Sequence, residues 1–145
     1  MIRQVSIFLE NQRGRLNDML KILADQQINI RSLNIAETMD YGVVRLILQD
    51  TDKGIEVLRK NNFICKTTPV LAVEVSDDPG GLSHLVDTLT KEDINIVYAY
   101  SFLPKKTDNA IIIIRIDDEV REKAIAVLEA VSDIHLLDRD TLLVK

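Results

Sequence analysis

The sequence contains very few aromatic residues and a single cysteine. Aromatic side chains make up 4% of its 145 residues, and tryptophan is absent. A hydrophobic core must therefore be built from Ile, Leu and Val. Cys65 has no second cysteine with which to form an internal disulfide, which is consistent with a reducing compartment. We expect Cys65 to be a small apolar residue in a strand and not a reactive thiol.

A basic surface and a long apolar segment are also missing. The formal net charge is −5 and the basic residues form no stripe, so neither a nucleic acid nor an anionic membrane is expected as a partner. No apolar stretch approaches the ~20 residues that span a bilayer. The apolar run at residues 5–9 is interrupted by Ser6 and ended by Glu10, and it is too short for a secretory signal. These features predict a cytoplasmic protein.

The motifs of common enzymes and metal sites are absent as well. The sequence has no phosphate-binding glycine-rich loop that ends in Lys-Ser or Lys-Thr, no nucleophile elbow and no HExxH. Asp77 and Asp78 could form an acid–base pair, but adjacent residues seldom point at one substrate, and helix capping explains Asp78 more simply. His84 and His135 have no partners at metal-ligand spacing. We therefore expect no catalytic activity, no metal and no cofactor.

What the sequence does contain is an internal repeat. Residues 14–30 (GRLNDMLKILADQQINI) resemble residues 80–96 (GGLSHLVDTLTKEDINI), 66 positions later, and further along the matching residues are 70 positions apart. The matches are Leu16 with Leu82, Leu23 with Leu89 and Asn29 with Asn95 at the first spacing, and Arg45 with Arg115, Ile55 with Ile125 and Leu58 with Leu128 at the second. The change in spacing predicts four extra residues in the second copy, which we place in the turn-rich segment 103–109. The repeat indicates duplication of one unit.

Both copies have the same predicted order of elements. A first strand (residues 5–9 and 70–75) precedes a helix with an apolar stripe, formed by Leu16, Leu20 and Leu23 in one copy and by Leu82, Leu85 and Leu89 in the other. Two strands follow, at 28–36 and 43–48 and at 94–103 and 110–116. A second helix (52–61 and 118–132) and a closing strand (63–67 and 134–137) complete each unit, and the tail at 141–144 is expected to add a strand. In the second copy, Asp78 is the predicted N-cap and Pro79 the first helical residue.

This order is βαββαβ, twice. It predicts an α+β protein of two ferredoxin-like domains, each with an antiparallel sheet and with helices on one face. The boundary is predicted near Pro69, which gives domains at 1–68 and 69–145. Because the link is short, we expect the domains to pack side by side. Arg45 and Arg115 lie in otherwise apolar strands and are expected on the uncovered face of the sheet, or to snorkel to solvent.

The motifs that follow the first strands carry a family resemblance. The second copy has Asp78-Pro79-Gly80-Gly81-Leu82 before its helix and Ile94-Asn95-Ile96 after it, and the first copy has Gly14-Arg15-Leu16 and Ile28-Asn29-Ile30. RNA-recognition domains share this topology and stack bases on aromatic side chains of their central strands. The central strands predicted here carry Ile, Val and Leu instead, so an RNA-recognition domain is not expected. With its topology and its duplication, the sequence resembles the ACT domain family over nearly the whole chain.

The resemblance implies a function and a place for the ligand. ACT domains generally bind amino acids or similar metabolites and regulate amino-acid metabolism. Their ligands lie at the interface between paired domains, where the loop before the first helix of one domain faces the start of the second strand of the other. We therefore expect a regulatory protein that binds an amino acid. The alternative is a non-catalytic interaction subunit of a biosynthetic enzyme, similar to the acetolactate synthase small subunit, without a ligand of its own. A small enzyme with an unrecognised site is a third alternative.

Candidate ligand-binding residues lie around the two helix starts. Gly lets the backbone approach a ligand, free N–H groups at a helix start can receive a carboxylate, and Asn or Asp can accept a hydrogen bond from an ammonium group. Arg13 and Arg15 can hold a carboxylate. Each type also has a structural alternative: Gly can serve only the turn, Asn can form a turn before a strand, Asp78 can cap the helix, and the arginines can stay solvated. The candidates are Asn11, Arg13, Gly14, Arg15, Leu16, Asn29 and Ile30, and Asp77, Asp78, Gly80, Gly81, Leu82, Asn95 and Ile96.

The expected partners follow from the same features. Outer strands of the sheets would present unpaired edges, which favours a homodimer. The family resemblance adds an amino-acid ligand and, for the interaction-subunit alternative, a biosynthetic enzyme.

Overall fold

The chain is divided into two compact units. The computed structural model describes residues 1–37, 40–104 and 107–143. By their contacts, Arg3–Thr68 form one unit, called here the first unit, and Pro69–Lys145 together with Met1–Ile2 form the second unit.

The first unit contains one βαββαβ motif. Its elements are β1 (Ile2–Glu10), α1 (Arg15–Asp25), β2 (Ile30–Glu37), β3 (Tyr41–Leu48), α2 (Thr51–Lys60) and the first part of β4 (Ile64–Val75). The strands lie in the order β2-β3-β1-β4, and β3 pairs antiparallel with both β1 and β2. This is the ferredoxin-like strand order expected from the sequence.

The second unit repeats the motif. The rest of β4 is followed by α3 (Gly81–Thr90), β5 (Ile96–Phe102), β6 (Ala110–Ile116), a 3₁₀ turn (Asp118–Val120), α4 (Arg121–Glu129), β7 (His135–Leu137) and the short helix α5 (Arg139–Leu142). Its strand order is β7-β4-β6-β5, and all three pairings are antiparallel. The predicted α+β class and its duplication are confirmed.

Each unit has its own aliphatic core on one face of its sheet. Alternate residues of the strands point into the core, as period-two geometry requires. In the first unit, strand residues pack against the inner sides of α1 and α2. The strands contribute Val5, Ile7, Leu9, Val44, Leu46 and Leu48, and the helices contribute Met19, Leu23 and Leu58. In the second unit, strand residues pack against α3 and α4 in the same way. The strands contribute Leu71, Val73, Val75, Ile112, Ile114 and Ile116, and the helices contribute Leu85, Leu89, Ala124 and Leu128. Leu16 and Leu20 are only partly buried against the first core, and Met19 takes the central position of the α1 stripe.

Three helices end in the same way. The residue after the last turn of α1, α2 and α3 has a positive φ, with values of 56° at Gln27, 67° at Asn62 and 57° at Asp93. The following N–H group then reaches back to a carbonyl of the last turn, which satisfies a helix end. These bonds run from Ile28 to Leu23, from Phe63 to Leu58 and from Ile94 to Leu89. A left-handed residue closes each helix although none of the three is glycine.

The strand registers correct one predicted match between the copies. Val5 pairs with Leu46, and its repeat Leu71 pairs with Ile114, so the counterpart of Arg45 is Ile113 and not Arg115. Leu58 and Leu128 still match as core residues. Two of the four extra residues therefore lie between β5 and β6, and the other two lie around the 3₁₀ turn before α4. Matching by identity was wrong here because register follows the pairing and the connection lengths. Both arginines lie on the face opposite the core, but that face is not uncovered as expected, because Ile113 and Ile47 on it are buried.

Several predicted boundaries also differ from the structure. The segments 63–67 and 70–75 are parts of one strand, β4, which passes through Pro69. The helix expected at 118–132 is a 3₁₀ turn followed by α4, which ends at Glu129. The expected tail strand is wrong, since α5 occupies Arg139–Leu142 and Asp138 caps it through Thr141 N–H. Val144, like residues 105–106 of the predicted insertion, lies outside the described residues.

Cys65 is a buried strand residue of the first core, as predicted. Burial raises the pKa of its thiol, and the nearby Arg59 guanidinium only partly offsets this effect. The thiol is therefore protonated at neutral pH, which fits a packing role.

Candidate ligand site at two glycine turns

Both units have the same turn between the first strand and the first helix. We call residues 11–14 the Gly14 turn and residues 77–80 the Gly80 turn. Gly14 (φ 88°) and Gly80 (φ 93°) are the N-cap residues of α1 and α3, and both lie in the left-handed region that glycine adopts without strain. The backbone hydrogen bonds repeat as well: Arg15 N–H to Gln12 O and Asp18 N–H to Gly14 O in the first unit, and Gly81 N–H to Asp78 O and His84 N–H to Gly80 O in the second. The duplication has thus retained a specific helix start.

These two helices lack a side-chain cap, whereas two others have one. Asp50 accepts a hydrogen bond from Lys53 N–H at the start of α2, and Asp138 does the same for Thr141 N–H at the start of α5. Glycine has no side chain that could accept such a bond, and α1 and α3 show no side-chain cap. Because the N–H groups of Arg15 and Gly81 already donate within their turns, the first-turn N–H groups left for an external acceptor are those of Leu16 and Asn17 in α1 and of Leu82 and Ser83 in α3.

Glycine is needed at position 80 for its positive φ, and at position 81 because there is no space for a side chain. A Cβ at Gly81 would lie 2.0 Å from the Ser76 carbonyl oxygen, whereas a Cβ at Gly80 would meet nothing within 4 Å. The start of α3 thus lies against the end of β4 at backbone distance. In the first unit Arg15 occupies the equivalent place, so the two turns differ in how closely helix and strand approach.

The predicted capping role of Asp78 is wrong. Helix α3 begins at Gly81, with Gly80 at the N-cap, and Pro79 lies before the helix. The Asp78 carboxylate instead accepts a hydrogen bond from Ser76 Oγ at 2.8 Å, and the Asp78 carbonyl accepts one from Gly81 N–H. Asp78 therefore shapes the turn, as a short polar residue before a glycine commonly does. The Ser76 hydroxyl was missed in the sequence, although Ser-Asp-Asp-Pro is a composition typical of such a turn.

Arg15 is held against the first core, and 32% of its side chain is exposed. Its guanidinium carbon lies 4.6 Å from the centre of the Phe63 ring, and Asp18 approaches the guanidinium at 3.8 Å. Its Nε is buried and has no hydrogen-bond partner within the described part of the chain. Phe63 could not be found from the sequence, because nothing local links it to a residue 48 positions earlier. This stacking is a cation–π contact that fixes the side chain beside the Gly14 turn.

The other candidate residues divide into exposed polar groups and packing groups. Asn11, Arg13 and Asp77 are exposed in the turns, and Asn29 and Asn95 are exposed just before β2 and β5. The packing groups are Leu16 and Ile30, which are partly buried against the first core, and Ile96, which is partly buried against the second. Leu82 differs from Leu16, because it is 51% exposed.

His84 has a structural partner. Its Nε2 lies 3.0 Å from Asp133 Oδ1, which joins α3 to the turn before β7. The hydrogen bond from His84 lowers the pKa of the Asp133 carboxyl. In the described ranges, no group of three or more His, Cys, Asp and Glu side chains could hold a metal ion. None of the helices described there is long and apolar enough to cross a membrane.

One open groove lies beside α3, the helix that follows the Gly80 turn, but none of the Gly80-turn residues lines it. It runs between α3 and α4 and has a volume of about 570 Å³. Its floor is formed by Ala126, Val127, Ala130 and Val131, and its rim by charged side chains that include Lys91 and Lys123. Lys91 is paired with Asp87, and Lys123 donates to the Glu92 carbonyl, so these groups already have partners.

Comparison with known proteins identifies the family. The family model described as an ACT domain pair matches residues 1–142. The chain therefore belongs to the ACT domain pair family. Protein BT0572 from Bacteroides thetaiotaomicron is 35% identical, with a TM-score of 0.88, and the match covers 99% of this chain and 96% of that one.

More distant structures share the fold. The regulatory subunit of aspartate kinase from Thermus thermophilus, in a ligand-free form, has a TM-score of 0.62 at 14% identity and covers 88% of this chain and 90% of its own. The corresponding subunit from Thermus flavus gives 0.61 at 14%, with the same coverage. A curated relative, the ATP synthase subunit delta of Prochlorococcus marinus, is 35% identical over 92 residues. This chain spans only 39% of that relative's length, so the match assigns no activity.

Proposed function

We propose that this ACT domain pair is a non-catalytic regulatory module that binds an amino acid at its glycine turns and acts in the control of amino-acid metabolism. The observation that carries the proposal is the repeated helix start, in which a left-handed glycine and no capping side chain precedes α1 and α3. N–H groups at such a helix start, together with the positive end of the helix dipole, favour a bound carboxylate.

The Gly80 turn is the better site for a complete amino acid. Gly80 and Gly81 leave the start of α3 without side chains, and a Cβ at Gly80 would meet nothing within 4 Å, so there is room for a ligand there. Asp77 is exposed beside it and can accept a hydrogen bond from an ammonium group, whereas Asp78 is already engaged by Ser76. A carboxylate at the helix start and an ammonium at Asp77 would match the two charged ends of an amino acid.

The Gly14 turn favours an anion instead. Arg13 is exposed there, and Arg15 brings a second positive charge that Phe63 and Asp18 hold in place. The buried Arg15 Nε is a donor that an anion entering the turn could satisfy. We therefore propose unequal affinities, with the amino acid preferring the second unit.

Regulation requires that the ligand bind two states of the protein with different affinity. A ligand that bound both states equally would shift no equilibrium, however tightly it bound. The proposal therefore includes a ligand-dependent change in the module or in its association with a controlled enzyme.

The experiment is thermal unfolding of the purified protein with each of the common amino acids at millimolar concentration. A ligand at about 100 times its Kd stabilises the folded state by roughly 2.7 kcal/mol, which at this chain length raises Tm by about 5–10 °C. Asp77→Asn should abolish most of the shift. Asp87→Asn is the matched control, because it removes the same charge from an exposed ion pair with Lys91 on α3 and should keep the shift. A shift that survives Asp77→Asn would place the ligand elsewhere.

A second candidate is an interaction subunit without a ligand. It is favoured by the exposed aromatic side chains Phe8 and Tyr41, which lie on the helix-free face of the first unit's sheet. Exposed apolar patches of this kind mark protein contacts. If no amino acid changes Tm, this candidate replaces the first.

A further inference from the structure

The last turn of the second helix carries opposite charge in the two units. Helix α2 ends with Arg59 and Lys60, whereas the last turn of α4 contains no basic residue. Because Leu58 and Leu128 are matching core residues, the counterpart of Arg59 is Glu129. The C-terminal end of a helix has a partial negative charge that favours cations. The first unit therefore supplies a cation at this helix end, and the second unit places a carboxylate there instead.

In the first unit, Arg59 also joins the helix to the closing strand. Its Nη2 donates a hydrogen bond to the Cys65 carbonyl oxygen at 3.2 Å, and the space around it is lined largely by other charged side chains. In the second unit, the Glu129 carboxylate is exposed and has no hydrogen bond or ion pair within the described part of the chain. The helix dipole does not stabilise a negative charge at this end. The second unit therefore lacks a cation where the first unit has one.

A small apolar pocket opens beside Glu129. It has a volume of about 260 Å³, below the roughly 300–1,000 Å³ of sites that hold drug-sized ligands. Its most buried lining residues are Ile2, Val70 and Leu71, which are at most 5% exposed, and Ile2 belongs to the second unit. Half-buried apolar side chains of α4 and β7 line the rest. The pocket therefore has room for a short apolar group.

The polar side chains of this pocket are two carboxylates. Asp138 is already engaged, because it caps α5. The hydrogen bonds from Thr141, with a smaller contribution from the Met1 amino group, lower the pKa of the Asp138 carboxyl. Glu129 remains as the free acceptor at the exposed rim. A ligand that suits the pocket therefore has an apolar end that becomes buried and a cationic end that stays at the rim.

We propose that this pocket binds a small aliphatic amine in its protonated form. The alkyl group packs against Ile125, Leu136 and Leu137, which line the pocket. The ammonium group donates a charge-assisted hydrogen bond to Glu129. It supplies the positive charge that the Arg59 guanidinium provides in the first unit, at the negative end of the helix. The site is separate from the glycine turns, since this ligand has no carboxylate.

The arrangement of charge disfavours two related ligands. An amino acid would place its own carboxylate beside Glu129 and Asp138, and like charges repel. A lysine side chain of another protein carries its charge at the tip. It would insert its ammonium group first into the apolar part of the pocket, where an unpaired charge is costly. A free amine enters with its alkyl group first and avoids both costs.

The first test is titration of the purified protein with isopentylamine, followed through the methyl NMR signals of Ile125, Leu136 and Leu137. Isovalerate and isopentanol are matched comparison ligands, because they have a similar alkyl group with a negative charge or with none. We expect the amine to shift these signals saturably at millimolar concentration, and each comparison ligand to bind more weakly by roughly tenfold or more. Equal binding of the alcohol, or no saturable shift with the amine, would overturn the proposal.

The second test uses variants of α4. Glu129→Gln should weaken amine binding by roughly tenfold or more, because it removes the charge and keeps the size. The matched control is Glu122→Gln, in the first turn of the same helix and outside the pocket lining, and it should leave binding unchanged. Glu129→Arg introduces the residue of the first unit, so it should abolish amine binding and raise Tm. Amine binding that survives Glu129→Arg, or that Glu122→Gln weakens equally, would contradict the proposed site.

Discussion

Single residues of the glycine turns are constrained by either conformation or space. Gly80 has a positive φ but free room for a Cβ, whereas Gly81 has no room because the Ser76 carbonyl lies at backbone distance. Gly80→Ala should lower the free energy of unfolding by about 1–2 kcal/mol, the cost of a left-handed L-residue. Gly81→Ala should cost about 3 kcal/mol, since the backbone itself must move. Urea unfolding would measure both, and an equal or smaller loss for Gly81→Ala would show that the helix start adapts.

At the left-handed residues that end the helices, replacement by glycine should raise stability instead of lowering it. Gln27 and Asp93 have positive φ without being glycine. Gln27→Gly and Asp93→Gly should each raise the free energy of unfolding by about 0.5–1 kcal/mol, because the relief of strain exceeds the added entropy of the unfolded chain. Ala24→Gly, within the exposed side of α1, is the control and should cost about 1 kcal/mol. If Gln27→Gly were as destabilising as Ala24→Gly, strain at Gln27 would be negligible.

At the scale of elements, an ion cluster joins the end of β6 to the start of α4. Asp118, in the 3₁₀ turn, contacts both Arg115 and Arg121. The hydrogen bond from Arg115, supported by the charges of both arginines, lowers the pKa of the Asp118 carboxyl below its ordinary value of 3.8. Two of the extra residues of the second copy lie in this turn, so the cluster lies in a connection that is longer than its counterpart between β3 and α2 in the first copy.

The lowered pKa gives a pH-dependent prediction. A carboxyl whose pKa is lower in the folded state contributes stability that is complete above its ordinary value of 3.8 and is lost as pH falls through the lowered value. Asp118→Asn should therefore be less stable than the unmodified protein at pH 6, and the difference should shrink as pH falls below 3.8. Asp108→Asn, an exposed loop residue, is the control. A difference that stays constant down to the acid limit would exclude the ion cluster as its cause.

The elements were predictable where their periodicity is strong. Leucine spacing located α1 and α3, and the isoleucine run located β6 with the correct ends. The predicted start of α3 is wrong because Asp78-Pro79 fits a capped helix in sequence, whereas the helix begins at Gly81, which lies against the Ser76 carbonyl. β4 was read as two strands, since Pro69 interrupts the pattern although it does not interrupt the strand.

At the scale of the whole molecule, the duplication was visible in sequence but its alignment was not fully determined. Identity matched Arg45 with Arg115, while strand register matches Arg45 with Ile113. The glycine turns were predictable because Gly14 and Gly80 recur at the same spacing. The stacking of Arg15 on Phe63 depends on tertiary packing, which local sequence does not contain.

The proposed function requires that the helix starts of this ACT domain pair receive a small carboxylate ligand. The most direct measurement is the change in backbone amide signals by NMR as each common amino acid is added at millimolar concentration. One amino acid, or one chemical class, should shift the amides of Gly80, Gly81, Leu82 and Ser83 most, with smaller changes at the Gly14 turn and little at the capped start of α2. No change at either turn, or changes confined to the groove between α3 and α4, would contradict it.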